Sequence, residues 1–328
     1  MTLLITGGAG YIGSHMILEA RAAGRDVVVA DNFVTGVRRA IPDDVTLEEG
    51  DIGDPAFLDQ LFKRHTISGI IHFAGSIVVP ESVTDPLKYY RNNTAASRTL
   101  IEKAVEYGVK HFIFSSTAAV YGDPETVPVA ENAPQAPLSP YGTSKLMTEL
   151  MLRDTAIAHD FRFIALRYFN VAGADPEGRT GQSTPNATHL IKVACQAALG
   201  QRSHLSVFGT DYDTPDGTGV RDYIHVSDLA AAHLLALEDL EAGGESGIYN
   251  CGYGTGFSVM DVISAVKRAS NVDFTVKIEG RRLGDSPKVV ADPSALKART
   301  GWQPKHDNLD EIVAHAFQWE RYLTDLED

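Results

Sequence analysis

Leu3-Leu4-Ile5-Thr6-Gly7-Gly8-Ala9-Gly10-Tyr11-Ile12-Gly13 opens with apolar and β-branched residues and then places glycines at 7, 10 and 13. The run reads as a buried strand that breaks at Gly7 and resumes as a helix at Tyr11. Glycine at these points permits a tight turn, lets backbone N–H groups approach a pyrophosphate, and lets the helix pack close on the strand. The helix N-terminus then faces the anion. The spacing is G-x-x-G-x-x-G rather than G-x-G-x-x-G, with the same physical content. Tyr11 to Ala23 carries helical patterning and ends at Gly24 as its C′ residue. Val27-Val28-Val29-Ala30 follows as a second strand. Asp31 closes it, eighteen residues beyond Gly13, where a carboxylate can accept hydrogen bonds from a ribose diol. A 2′-phosphate would be repelled there, and Arg38 and Arg39 lie downstream, so NAD is expected rather than NADP.

The same texture extends outward. Val45-Thr46-Leu47, Gly69 to Phe73, Phe112 to Ser115 and Phe163 to Leu166 are short apolar runs without polar alternation, as strands covered on both faces should be. Helices are expected at Ala56–Lys63, after the cap Asp54-Pro55, and at Asn93–Tyr107, closed by Gly108. Strand–helix alternation over this first half predicts an α/β fold with a parallel sheet and helices on both faces. After Gly173 the pattern changes. Residues 174–188 and 208–219 read as Gly-rich loops, Leu190–Leu199 and Asp228–Glu241 as helices, and Gly247–Asn250 as one more strand. A nucleotide domain over 1–174, with a returning segment at about 220–250, and a smaller domain from 175–219 and 251–328 are expected. The tail Leu323–Asp328 reads as acidic and solvated.

Composition narrows the function. The chain has 328 residues, 29 Lys and Arg against 43 Asp and Glu, and a net charge of −14. Such a chain is a poor ligand for phosphate backbones, so no nucleic acid is expected as a partner. Cys195 and Cys251 can form neither a disulfide framework nor a four-cysteine zinc site, and they read as buried thiols of a reducing compartment. His72, His111 and His225 fall in or beside strands, with no Cys/His spacing that suggests a metal. No apolar run reaches the roughly 18–20 residues of a membrane span. No signal peptide is read before Leu3, so Asn92-Asn93-Thr94 and Asn186-Ala187-Thr188 are taken as chance glycosylation patterns and a cytoplasmic location is expected.

Tyr141-Gly142-Thr143-Ser144-Lys145, behind the helix starter Pro140, puts Tyr and Lys four apart on one helix face. A free phenol has a pKa of about 10 and is a poor base at neutral pH. A nearby ammonium and a positive nicotinamide ring would lower it, at about 4 kcal/mol for three units. The tyrosine could then take a proton from a carbinol while hydride leaves. Thr117, at the end of the strand Ser115-Ser116-Thr117, would offer a hydroxyl to the same oxygen. Asp51-Ile52 could bracket an adenine, or be a plain turn. Phe73-Ala74-Gly75 ends a strand with small residues, which suits close approach of a cofactor.

Together, the glycine loop, Tyr141/Lys145 and Thr117 resemble the extended short-chain dehydrogenase/reductases. Within them, the chain resembles the UDP-galactose (UDP-glucose) 4-epimerases. The resemblance is carried by Gly7 to His15, Ser115 to Gly122, Arg167 to Gly173, Gly217-Thr218-Gly219-Val220-Arg221-Asp222-Tyr223-Ile224-His225-Val226, and Arg281-Arg282-Leu283-Gly284-Asp285, in order along essentially the whole chain. It implies a Rossmann-type doubly wound sheet with a smaller C-terminal α/β substrate-binding domain, and an NAD-dependent isomerase. Tyr141 would remove the 4-hydroxyl proton, hydride would pass to NAD, and the 4-keto sugar would turn about its diphosphate and be reduced on its other face.

The resemblance also implies site residues. Tyr11, Ile12, Asn32, Asn92, Ser115 and Tyr168 join the cofactor side. Asn170, His189, Leu190, Phe208, Tyr223 and Asp285 join the substrate side, and Arg221 and Arg282 clamp the diphosphate, as guanidinium forks can. A homodimer through a four-helix bundle of Asn93–Tyr107 and Tyr141–His159 is implied too.

Three positions depart from the family pattern. Ser76-Ile77-Val78-Val79 lacks a lysine common there, and Lys192 stands where proline is common. Val289 replaces a bulky tyrosine, which leaves room for an N-acetylated sugar. Ala118-Ala119 after Thr117 lacks the Asp-Glu pair of 4,6-dehydratases. Epimerases of other UDP-sugars and a non-catalytic NAD-sensing regulator remain the alternatives. Neither G-x-S-x-G nor H-E-x-x-H is present, so no hydrolase is expected.

Overall fold

Alternating residues of the first strand face two different cores. In the computed structural model, which describes residues 2–184, 188–282 and 285–327, Leu3 and Ile5 of β1 (Thr2–Thr6) enter one core and Leu4 the other. The same period of two recurs in β2 (Asp26–Asp31), where Val27 and Val29 oppose Val28 and Ala30. A strand buried on both sides has no polar face, which is why these runs lack alternation. Asn186, Ala187, Leu283 and Gly284, named above, lie outside the described residues.

The rest of the nucleotide half follows in order: α1 (Tyr11–Ala22), β3 (Thr46–Glu49), α2 (Pro55–Arg64), β4 (Ile67–His72), α3 (Val79–Thr84), α4 (Pro86–Tyr89), α5 (Ala96–Glu106), β5 (His111–Thr117), α6 (Pro140–Ala158) and β6 (Arg162–Tyr168). Asp54 caps α2 by accepting from Ala56 N–H at 2.9 Å, with Pro55 in the first turn. Gly24 and Gly108 take φ of +72° and +73° just past α1 and α5, a region closed to most side chains. The helix expected from Asn93 instead starts upstream. Residues Tyr90–Ala95 form a π-helical turn between α4 and α5, which lets the chain run on without the break that sequence spacing suggested.

The second half supplies β7 (Asn170–Ala172), α7 (Leu190–Ala198), β8 (Leu205–Phe208), β9 (Val220–Arg221), β10 (Tyr223–His225), α8 (Val226–Glu241), β11 (Gly247–Cys251), β12 (Phe257–Ser258), α9 (Val259–Ser270), β13 (Val276–Glu279), β14 (Lys288–Val289), α10 (Ser294–Thr300) and α11 (Leu309–Glu327). Among the described residues the main sheet has seven parallel strands in the order β11-β6-β5-β4-β1-β2-β3. β11 is thus a late segment that returns to the first sheet. Residues 220–225 do not join it: β10 pairs with β7, and β9 lies between β12 and β14. Met16 of α1 and Leu237 of α8 share one core; Leu58 of α2, Leu100 of α5 and Leu152 of α6 share the other.

The tail reading holds in part: Asp325 and Leu326 are exposed, Asp328 lies outside the described residues, and the rest differs. Residues Leu323 to Glu327 are the end of α11, and Leu323 and Thr324 are half-buried. Their acidic composition concealed helical spacing that continues from Leu309, Ile312, Val313 and Trp319, which are buried.

Candidate active site

Gly7 leaves β1 at φ +71° and its N–H donates to Ala30 O at 2.8 Å. A Cβ on Gly7 would lie 2.7 Å from Ala74 N, and one on Gly13 only 2.2 Å from Gly7 O. The loop and α1 therefore close together only with glycine at these points. Gly10 is the N-cap of α1 and brings no side chain to the exposed N–H groups, so they stay available to a pyrophosphate. Asp31 is 8% exposed; its oxygens accept from Ala9 N–H at 2.9 Å and Phe33 N–H at 2.8 Å. Burial raises its carboxyl above the ordinary range, against those N–H donors. Asp31 thus pins the glycine loop to the end of β2. Arg38 is spoken for: it pairs with Glu49 and lies over the Phe33 ring at 4.5 Å. Asn32 Nδ2 donates to Asp51 at 3.4 Å, Asp51 accepts from Gly53 N–H at 2.7 Å, and Ile52 is buried beside them. These features fit a dinucleotide without a 2′-phosphate.

Tyr141 and Lys145 rise from the first turns of α6, whose N-cap Ser139 accepts from Gly142 N–H at 3.3 Å. Both are buried, at 6% and 3% exposure. Lys145 Nζ donates to Ser115 O at 3.0 Å and lies 4.9 Å over the Phe114 ring. A Cβ on Gly75 would be 3.8 Å from that Nζ, so Phe73-Ala74-Gly75 flanks the lysine. Thr117, 7% exposed, ends β5 and accepts from Ala119 N–H at 3.2 Å. Among the described residues the neighbouring Ser115 Oγ is buried with no hydrogen-bond partner, a polar atom left for a ligand.

The chain's own groups set the starting point for the phenol. Among this chain's own groups, burial raises the Tyr141 pKa above its ordinary value, and the Thr117 hydroxyl only partly opposes this. Burial pulls Lys145 down to about 8, with Glu149 working the other way. The lysine spends its proton on a backbone carbonyl. At neutral pH Lys145 is still an ammonium one turn from Tyr141, and a second positive charge at the site would favour the phenolate further. Tyr168, also raised by burial, feels Tyr141 and sits at the end of β6.

The substrate-side residues fall in three groups. Asn170, His189, Leu190 and Tyr223 line one cleft with Gln182, Lys192, Trp319 and Glu320. Arg221 and Val289 face each other in the β9–β14 register, and Val289 packs with Tyr121 and Val120 just beyond Thr117. Arg282 stacks over the Phe208 ring at 3.6 Å, with Asp285 exposed nearby in sequence. Arg281 is not available as a second clamp: its Nε donates to Asp211 at 2.7 Å and its guanidinium covers Tyr212. Tyr11 reaches from α1 to Gly173 O at 2.7 Å, and Ile12 packs into the core behind it. Asn92 Nδ2 donates to Ser76 Oγ at 3.0 Å.

Several organising residues escaped sequence reasoning. Asn93, 2% exposed, accepts from Ser76 N–H and donates to Ser144 Oγ beside Gly75. Glu149, one turn beyond Lys145, is paired with buried Arg167 at 2.6 Å and accepts from Ser116. Lys192 donates to Glu320 at 2.6 Å, so the unusual lysine has a buried partner on α11. Asp222, fully buried, accepts from Tyr253, Gly254 and Ala291 N–H and so gathers three C-terminal segments. The only available signal for it was its place in the Gly217–Val226 run.

A profile of the NAD dependent epimerase/dehydratase family matches residues 3–252. A UDP-glucose 4-epimerase of Azospirillum brasilense is 57% identical over 321 residues, which cover 98% of this chain and 92% of that protein. The crystal structure of UDP-glucose 4-epimerase from Brucella ovis in complex with NAD is 41% identical, with a TM-score of 0.94 over 97% of this chain and 98% of that one. The UDP-Glc/GlcNAc 4-epimerase of Campylobacter jejuni is 48% identical, with a TM-score of 0.87 over 98% and 99%.

Proposed function

Since the chain belongs to the NAD dependent epimerase/dehydratase family, we propose that it interconverts UDP-glucose and UDP-galactose by inverting C4 of the sugar, with NAD as its resident cofactor. The observation that supports this most directly is the burial of Tyr141 and Lys145 against Ser115 and Thr117, beside a glycine loop whose N–H groups are free for a pyrophosphate. Gly7, Gly10, Gly13 and Asp31 would hold the dinucleotide, with Ser115 Oγ and Lys145 toward its reactive end. When bound, NAD would supply the reversible hydride acceptor and a positive charge beside the phenol, in addition to the Lys145 ammonium.

The chain's own part is proton handling and restraint. Tyr141 takes the proton of the 4-hydroxyl and later returns it to the 4-keto sugar, and Thr117 hydrogen-bonds the same oxygen. Arg221 and Arg282 grip the diphosphate while Asn170 and Phe208 hold the uridylyl side. Nucleotide binding then anchors both poses of a sugar that must turn over. We assign residues 1–174 and the returning segment at about 226–250 to the nucleotide domain, and 175–225 with 251–328 to UDP-sugar binding. Among the described residues no helix is long and apolar enough to cross a membrane. A homodimer through α5 and α6 is part of the proposal, supported by the exposed stripe Met147, Leu150 and Ile157 on α6.

A second reading, turnover of N-acetylated UDP-sugars, rests on the sequence: Val289, in register with Arg221 and packed against Val120 and Tyr121, stands where some members of the family carry a bulkier side chain. One experiment tests both. The purified protein is denatured and assayed for released NAD, and native protein is given UDP-galactose, UDP-GlcNAc or UDP-xylose without added cofactor. Released NAD with epimerised UDP-galactose is the expected result. Turnover of UDP-galactose without turnover of UDP-GlcNAc removes the second reading.

A further inference from the structure

His306, Glu311 and His315 bring one ligand atom each to a common point, all within 4.8 Å of one another. Glu311 and His315 are four apart at the start of α11 and so share a face, and His306 reaches them from the loop that leads into the helix. All three are half-buried. His306 Nδ1 lies 2.6 Å from Glu311 Oε1. His225, fully buried at the end of β10, sets its Nε2 3.1 Å from His315 Nδ1, and its ring centre is 4.5 Å from that of His306. His225 Nδ1 accepts from Ser227 N–H, so its Nε2–H donates to His315 Nδ1, while His306 donates Nδ1–H to Glu311 and keeps the Nε2 lone pair.

We propose that His306, Glu311 and His315 form a structural site for a borderline divalent cation of the Zn²⁺ type, His315 exchanging its bond from His225 Nε2–H for the cation. Two imidazoles and a carboxylate are the donor set that suits Zn²⁺ and its neighbours Co²⁺ and Ni²⁺, with water completing the coordination. Histidines that bind metal are regularly held by donating their other ring N–H, as His306 does to Glu311 here. Glu311 supplies the negative charge of the cluster, since the nearby Asp175 is paired with Arg179. The site would fasten the loop at His306 to the first turns of α11. The His225 ring covers Gly173, where a Cβ would approach it to 2.7 Å, and Gly173 O receives the Tyr11 hydroxyl that follows the glycine loop.

The test uses the full-length chain, stripped with a chelator and titrated with ZnCl₂ alone. One equivalent should bind, and Tm should rise by about 5 °C at a Zn²⁺ concentration a hundredfold above Kd. Co²⁺ in its place should give the ligand-field absorption of a tetrahedral ion. His306→Gln and His315→Gln should keep the metal-free Tm and bind at least tenfold more weakly. Absence of a Tm rise in the unaltered chain overturns the site, as does an equal rise in both variants, which would place the cation on other surface histidines. Should His315→Gln unfold, His306→Gln, whose ring makes no hydrogen bond to His225, decides the matter alone.

Discussion

Tyr141→Phe removes a single oxygen from a side chain buried at 6% exposure. Turnover should fall by about 10²–10⁴, the usual weight of a positioned acid–base group, while UDP affinity by calorimetry stays within a few-fold. Near-normal turnover would remove Tyr141 from its role. Gly13→Ala puts a methyl 2.2 Å from Gly7 O, so the loop must open. That variant should purify with little NAD, measured after denaturation. Lys145 gives a prediction with a defined sign. Its pKa is about 8 when folded against 10.5 ordinarily, so the unfolded chain holds more protons between these values and stability rises with pH across that window. Below pH 8 both states are protonated and the full burial cost stands. Lys145→Met should therefore stabilise the NAD-free protein at pH 7 by a few kcal/mol, at about 1.4 kcal/mol per unit. The gain should shrink toward zero by pH 10.5 in urea titrations.

At the scale of elements, the site is a meeting of β5, β6 and α6, held by the Arg167–Glu149 pair. Both are almost wholly buried, and Arg167 also donates to the Tyr121 hydroxyl at 2.9 Å. Arg167→Met leaves a buried carboxylate unpaired and should cost about 3–5 kcal/mol of unfolding free energy. Arg167→Met combined with Glu149→Leu should recover most of it, and a double variant as unstable as the single one contradicts this account. Neither residue was legible as a pair, because they lie eighteen positions apart on a strand and a helix with no shared period. By contrast, the cap Asp54-Pro55 and the stops Gly24 and Gly108 were legible, because each works within its own turn of chain. The π-helical turn at Tyr90–Ala95 was not legible, since its register is imposed by Asn93 reaching Ser76 and Ser144.

Across the whole molecule, His72 and His233 make the fold acid-sensitive. Burial depresses them to about 3 and about 4, so they are neutral when folded, and the unfolded chain takes up protons below about pH 6.5. Their contribution is intact above that pH and is lost as pH falls toward 4, at up to about 2.7 kcal/mol per unit for two groups. A flat Tm between pH 6.5 and 4.5 would contradict it. Ile157, 81% exposed on α6, lies on the face proposed for dimerisation. Ile157→Glu should sediment as a monomer. The order of strands and helices in the nucleotide half, the glycine loop and the Tyr–Lys spacing were determined by the amino-acid sequence itself, because each depends on contacts within a few residues. Tertiary structure alone decided that Arg281 turns to Asp211, that Lys192 meets Glu320, that Asp222 gathers Tyr253, Gly254 and Ala291, and that His225, His306 and His315 converge. Those partners come from distant segments, and burial of charged and polar groups, which must be paired once water is gone, selects them only when the whole chain has closed.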